Sequence, residues 1–373
     1  MLDKFTSDKF RFWSFVSMAL LVFVHGYNLD DRYLQPWTLP GEPLNATSFS
    51  EYFLANGILR FRIPMLFLIS GYLYALHDAA PNGARISKRA RTLLLPYLLW
   101  SGLCLALFHG AEMFSVTRAW IADSHIAQID GTRMLVHEYA WHEVLIRWLL
   151  VPLPYQLWFI RVLFFYNLIY PLLRRWITGA RSSRIFFSIA VLLWLATAPL
   201  YFFEGEGLLF FSLGVWMQKS AFDIATPARW LNPKRWSVVF VAAAALKTWL
   251  AFEGGPLLGT AVFPVIVLLH KLTIASGLVA AWFGSDALVR WCMGQRWFVW
   301  LASFSFMIYA VHAPWIAVAI DPVFAWLGPL PGYQMLTFVL MPLAFIAFAV
   351  GFGALLRRVV PGLYGVLTGG RGL

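Results

Sequence analysis

The chain is 373 residues long, 60% hydrophobic, 18% aromatic and only 13% charged, with a mean hydropathy of +0.69. A soluble domain of this length has no use for so much apolar surface, so the composition excludes a soluble enzyme or scaffold and predicts an all-α, polytopic integral membrane protein. The net charge of +11 fits Arg- and Lys-rich loops beside a bilayer better than a nucleic-acid-binding face.

In chain order, residues 12–28 form an apolar run, FWSFVSMALLVFVHGYN, behind Lys4, Lys9 and Arg11. This is the pattern of a retained first transmembrane helix rather than a signal peptide, since no small-residue cleavage site follows it. A polar loop over 29–50, with Asp30, Asp31 and Arg32, leads to a second span at 52–77 that contains Arg60 and Arg62. The cluster Arg85, Lys88, Arg89 and Arg91 precedes a third span at 92–109. Residues 110–155 read as an outer segment of mixed polarity with short interfacial helices. Further apolar runs fall at 157–173, 185–203, 207–217, 237–252, 258–283, 298–320 and 335–356.

The expectation is therefore one domain over 1–373 with about ten transmembrane helices and both termini cytoplasmic. Twenty of the 29 Lys and Arg then fall on the side of the N-terminus and four on the other, as the positive-inside rule asks. No internal repeat is visible. Cys104 and Cys292 lie in or beside apolar runs and give neither a disulfide framework nor metal spacing.

Two ionisable residues stand out. At ~1.5 Å per residue, His25 lies roughly 20 Å along the first helix, and Arg60 lies roughly 12 Å in from the opposite face. Ionisable groups inside apolar helices are costly unless they face a cavity or a partner. Their matching depth predicts a shared polar cavity. A histidine there can take a proton from a hydroxyl, and a guanidinium suits an oxyanion. The structural alternative is that both reach toward water or hold backbone carbonyls.

Tyr309 and His312 share a helix face, with Ser305 one turn earlier. Lys271, beside His270, lies mid-span without a visible carboxylate partner, because the spans contain no Asp or Glu. His137-Glu138 and His142-Glu143 depart from His-Glu-x-x-His spacing and do not share a helical face, so no metal site is expected.

The stretch Arg60-Phe-Arg-Ile-Pro-Met-Leu-Phe-Leu-Ile-Ser-Gly-Tyr-Leu73 resembles the signature of acyltransferase family 3. Three further stretches match in the family's order. They are His25 at the close of the first helix, Lys88-Arg-Ala-Arg-Thr-Leu-Leu-Leu-Pro-Tyr97, and Ser303-Phe-Ser-Phe-Met-Ile-Tyr309-Ala-Val-His312-Ala-Pro314. Two positions depart from the pattern. Ser14 stands where many members carry Arg or Lys, and Gln156, before Leu157-Trp158-Phe159, stands where many carry His.

The resemblance implies a ten-helix inner-membrane enzyme that moves an acyl group, usually acetyl, from cytoplasmic acyl-CoA to a hydroxyl of a glycan or glycolipid at the outer face. It implies His25 as the catalytic residue with Arg60 in support; Tyr309, His312, Ser305, Trp158 and Gln156 are the candidates for the rest of the cavity. Lys271, Arg89, Arg91 and Arg174 are the candidate contacts for acyl-CoA. The partners expected are acyl-CoA, the acceptor and the bilayer, with no nucleic acid and no bound cofactor or metal. The acceptor, acetyl against succinyl, and oligomeric state stay open. A transporter or flippase for a lipid-linked glycan is the alternative reading, with a glycan polymerase or ligase behind it.

Overall fold

The structure is a computed structural model that describes residues 2–29, 34–130, 133–197 and 203–372. Asp30, Asp31 and Arg32 of the first loop, and the end of the run at 185–203, lie outside the described residues. All regular structure among the described residues is helical.

Helix α1, Lys4–His25, starts where the Asp3 carboxylate accepts the Thr6 N–H at 2.9 Å, and it stops at Gly26. Phe10, Phe12, Trp13, Phe15, Leu21, Val22 and Val24 are all buried, so α1 is covered on several faces and runs through the core. Near its start Lys9, only 2% exposed, pairs with Asp286 and lies 4.7 Å from the Trp282 ring centre.

Helix α2, Arg62–Leu76, follows a π turn at Phe53–Gly57 and a 3-10 turn at Ile58–Phe61. Helices α3 (Leu95–Ala111), α4 (Trp158–Leu168), α5 (Tyr170–Thr178) and α6 (Ala180–Leu195) come next, then α7 (Gly205–Lys219). The α2–α7 contact is backbone to backbone. A Cβ on Gly71 would overlap the Phe211 carbonyl, and one on Gly214 would overlap that of Leu68. Glycine is what lets these helices approach so closely.

Helices α8 (Pro233–Leu258) and α9 (Val262–Gly284) pack along one another across a turn at Gly259, φ 52°. They are followed by α10 (Ser305–Val311), α11 (Trp315–Leu327) and α12 (Tyr333–Val359).

The expected ten spans are corrected here. Among the described residues four helical stretches are long and apolar enough to cross a membrane: Ala46–Leu76, Asn82–Ala111, Pro233–Gly284 and Tyr333–Val359. The number reaches six if the bent pairs Tyr155–Leu168 with Tyr170–Thr178, and Ser305–Val311 with Trp315–Leu327, each count as one. The physical reasons are local. Lys4, Asp8, Lys9 and Arg11 occupy the first turns of α1, leaving it apolar only from Phe12. Helix α7 has 15 residues, roughly 22 Å, short of the ~30 Å hydrocarbon core. The run at 298–320 breaks at Ser303 and again, by 66°, at His312–Pro314.

Between α3 and α4 lie short helices at Ser115–Asp123 and Trp141–Leu149. Glu112, 1% exposed, ties this segment together by accepting the N–H groups of Val136 at 2.7 Å and His137 at 3.0 Å. Just past the end of α2, Asp78 pairs with Arg85 at 3.0 Å, with Arg174 at 3.1 Å, and with Lys219.

Candidate active site

His25 ends α1, one residue before Gly26 releases the chain. Its ring stacks on His312 with centres 5.4 Å apart and planes 26° apart, and meets Tyr155 edge-on at 4.9 Å. His312 is fully buried. Its Nδ1 lies 2.7 Å from the Ile308 carbonyl, which can only accept, so Nδ1 carries the hydrogen. The neutral ring then leaves Nε2 as a bare base nitrogen, and it has no hydrogen-bond partner among the described residues. His25 makes no hydrogen bond among the described residues, so both of its ring nitrogens are available to a substrate.

The break between α10 and α11 places His312. A helix ending inside a protein leaves carbonyls that need donors. Gln156 Nε2 supplies one, facing the carbonyls of Tyr309 at 3.3 Å, Ala310 at 3.2 Å and Ala313 at 2.9 Å. In return the Tyr309 hydroxyl donates to the Gln156 carbonyl at 2.6 Å. The peptide Ala313–Pro314 within this break is cis.

Arg60 and Arg62 are two residues apart, a spacing that points in different directions on a regular helix. The change from the 3-10 turn at Ile58–Phe61 to α2 falls between them, and both line one cavity. Arg60 Nη2 donates to the Leu34 carbonyl at 2.8 Å, and Arg62 Nη1 to that of Leu59 at 2.7 Å. The buried Nε of each has no partner among the described residues, so each guanidinium keeps donors in hand.

The cavity measures about 470 Å³, within the usual range for a small-molecule site. His25, Arg60, Arg62, Gln156, Trp158 and Tyr309 form part of its lining. Glu204, Glu206, Trp194, His270 and Lys271 form another part. Glu206 accepts from Trp194 Nε1 at 3.1 Å, and Lys271 Nζ lies 5.0 Å from the Trp194 ring centre. Behind this wall the fully buried Lys247 donates to the Asn56 carbonyl at 2.8 Å and lies 3.2 Å from His270 Nδ1. A neutral base, two guanidinium groups and carboxylates in one cavity can move a proton and stabilise an oxyanion.

The acyltransferase-domain family model matches residues 11–358, which include every residue of this cavity. The chain belongs to acyltransferase family 3. It is also similar to the succinoglycan biosynthesis protein ExoH of Rhizobium meliloti (strain 1021). The two are 27% identical over 325 residues, covering 86% of this chain and 81% of that protein. No solved structure matches. As a member of the family the protein is a membrane acyltransferase acting on a glycan or lipid acceptor.

In this acyltransferase the cavity gathers His25, Arg60, Gln156, Trp158, Tyr309 and Lys271, with His312 stacked directly behind His25. Ser305 is elsewhere, its hydroxyl donating to the Ala302 carbonyl at 2.6 Å. Arg89, Arg91 and Arg174 do not join Lys271. Arg174 pairs with Asp78, Arg89 lies 5.2 Å from the Tyr74 ring centre, and Arg91 is exposed. Arg11 is also engaged away from the cavity, donating to the Val299 carbonyl at 2.8 Å.

Lys271, expected to lack a carboxylate neighbour, interacts electrostatically with Glu206 and Glu204. The available signal was Glu204-Gly-Glu206 at the start of an apolar run. Glu204 caps α7, accepting the Gly207 N–H at 2.6 Å, which turns Glu206 into the cavity's lining. Cys104 and Cys292 are free and buried. Among the described residues no group of three His, Cys, Asp or Glu could hold a metal, and His137 Nδ1 is turned to Glu112 at 3.0 Å.

Proposed function

We propose that this acyltransferase works as a single unit over residues 1–373 in the inner membrane, moving an acetyl group from cytoplasmic acyl-CoA to a hydroxyl of a glycan or glycolipid at the outer face. The observation that carries the reading is His25, backed by the stacked His312, in a cavity shared with two arginines whose Nε donors have no partner among the described residues. The named role of the relative in succinoglycan biosynthesis supports a bacterial exopolysaccharide as acceptor.

The acceptor hydroxyl oxygen attacks the thioester carbonyl carbon while His25 takes its proton. Arg60 and Arg62 hold the oxyanion, and removal of one such donor typically costs about 3–4 kcal/mol in the barrier. The C–S bond then breaks, and His25 returns the proton to the CoA thiolate. The products are an ester and CoA thiol. His312, with its Nδ1 hydrogen engaged, fixes the His25 ring by stacking.

His25 is sixteen residues from Lys9 along α1, roughly 24 Å. An extended pantetheine arm is shorter than this, so a donor that presents its thioester at His25 must carry its phosphates past the level of Lys9 into the protein. An acyl-His25 intermediate is the other route. It gives ping-pong initial-rate patterns, whereas direct attack gives intersecting ones.

The test is release of CoA thiol from acetyl-CoA by purified protein in proteoliposomes without acceptor. An acyltransferase hydrolyses the thioester slowly. A lipid-linked glycan flippase leaves it intact, and that result would reject the reading.

A further inference from the structure

We propose that Glu206, Trp194 and Lys271 form the acceptor subsite of the cavity and that it takes an uncharged, hydroxyl-bearing sugar ring. This rests on the acyl-transfer reading above and deepens it. Glu206 is a carboxylate that the transfer chemistry does not use. Among the described residues its one hydrogen bond comes from Trp194 Nε1 at 3.1 Å, and a carboxylate has about four acceptor sites. It interacts electrostatically with Lys271, Arg60 and Arg62. Yet among the described residues it closes no ion pair with any of them. The arginines give their bonds to the Leu34 and Leu59 carbonyls instead, and Lys271 lies over Trp194.

An acceptor carboxylate and a donor ammonium left apart on a cavity wall leave both capacities open. A sugar hydroxyl both donates and accepts, so a row of them satisfies such a wall. Trp37, Trp158 and Trp194 line the same space, and indole rings suit the C–H side of a sugar ring. Among the described lining residues the cations Arg60 and Arg62 belong to the transfer centre, whereas the acceptor wall sets two carboxylates, Glu204 and Glu206, against Lys271. A negatively charged sugar at Glu206 would therefore meet a like charge. Arg60 and Arg62 interact with His25 as well as with Glu206. A ring bound at Glu206 therefore shares one space with the base, and a neighbouring hydroxyl can reach His25.

The experiment follows acetyl-CoA consumption in proteoliposomes against increasing methyl β-glucoside and, separately, methyl β-glucuronide. Wild type is expected to respond saturably to the glucoside and more weakly to the glucuronide. Glu206→Gln keeps an acceptor for Trp194 and so keeps the fold, which a melting curve checks. It should raise the half-saturating glucoside concentration about tenfold or more, as a lost hydrogen bond to a charged group does, and narrow the preference over glucuronide. Trp194→Phe should also raise it.

Three results would overturn the proposal: no saturable glucoside response in wild type, unchanged half-saturation and preference in Glu206→Gln, or a fall in sugar-free turnover alone. The last would make Glu206 a balancing charge for the arginines. A wild type that consumes no thioester under any condition fails the acyl-transfer reading itself, a separate result.

Discussion

Adding one methyl group at Gly71 tests the packing that sets the cavity. In Gly71→Ala the new Cβ would lie 2.9 Å from the Phe211 carbonyl carbon and 3.2 Å from its Cα, with the carbonyl oxygen closer still. Backbone cannot rotate aside as a side chain can, so α2 and α7 must separate. Restoring ordinary contact to the carbonyl carbon alone takes about half an ångström, and the oxygen demands more. Overpacking of this kind costs roughly 1–3 kcal/mol, and the widened interface forfeits a quarter to a half of its dispersion wells. The helix propensity of alanine returns about 1 kcal/mol.

Less the alanine gain, the net loss is up to about 2 kcal/mol, or a melting temperature lower by up to about 3 °C in detergent for a chain of this length. Arg62 opens α2 and Glu206 lies in the first turn of α7, so their separation changes too. Displacements near 1 Å can cost up to about a hundredfold in rate, and acetyl-CoA consumption should fall at least about tenfold. Gly351→Ala is the control. It sits within α12 with nothing within 4 Å of its new Cβ, and should be neutral or stabilising by under about 1 kcal/mol. If Gly71→Ala melts within about 1 °C of wild type and keeps its activity, the close α2–α7 approach is wrong.

Asp286→Asn leaves Lys9 buried without its counter-ion and should cost about 3–5 kcal/mol by thermal melting, most of which Lys9→Met/Asp286→Leu should recover. Asp78 carries a pH signature. Burial raises its carboxyl pKa, but the close Lys219 ammonium and the charge of Arg174 outweigh burial and hold it below the ordinary value. A depressed carboxyl stabilises the fold above its unfolded pKa, about 3.9, and loses that contribution as pH falls through the lower folded value. The gap in melting temperature between wild type and Asp78→Asn should hold steady from pH 8 to about 5 and close below about 4; a gap that widens in acid would reject this sign. Gln156→Leu strips the donor from the buried carbonyls at the α10–α11 break. It should lower stability by about 1–3 kcal/mol and reduce turnover, and Gln156→Glu should not restore both.

The pairing of His25 with Arg60 was legible because each interrupts an apolar run, and helix rise is a reliable ruler between them. Arg62 was harder to place, since its two-residue spacing from Arg60 argues against a shared face unless the helix changes pitch, as it does at Phe61. Glu206 was hidden for a related reason. It lies at the edge of an apolar run, outside any span, and only the Glu204 cap turns it inward. The span count failed where apolar composition and helical continuity part company. Residues 298–320 read as one run, yet they fold as pieces with His312 at a bend, and that bend sets the histidine behind His25. Hydropathy registers what is apolar but not where a glutamine 150 residues away captures loose carbonyls.

The most direct measurement of the acyl-transfer centre is labelled acetyl-CoA consumption by wild type, His25→Ala and His312→Gln in proteoliposomes. Removing a general base typically costs about 10²–10⁴ in rate, so His25→Ala should fall by at least about a hundredfold, with His312→Gln between it and wild type. Equal turnover by wild type and His25→Ala, with both proteins folded, would contradict the assignment of this cavity's histidine as the base.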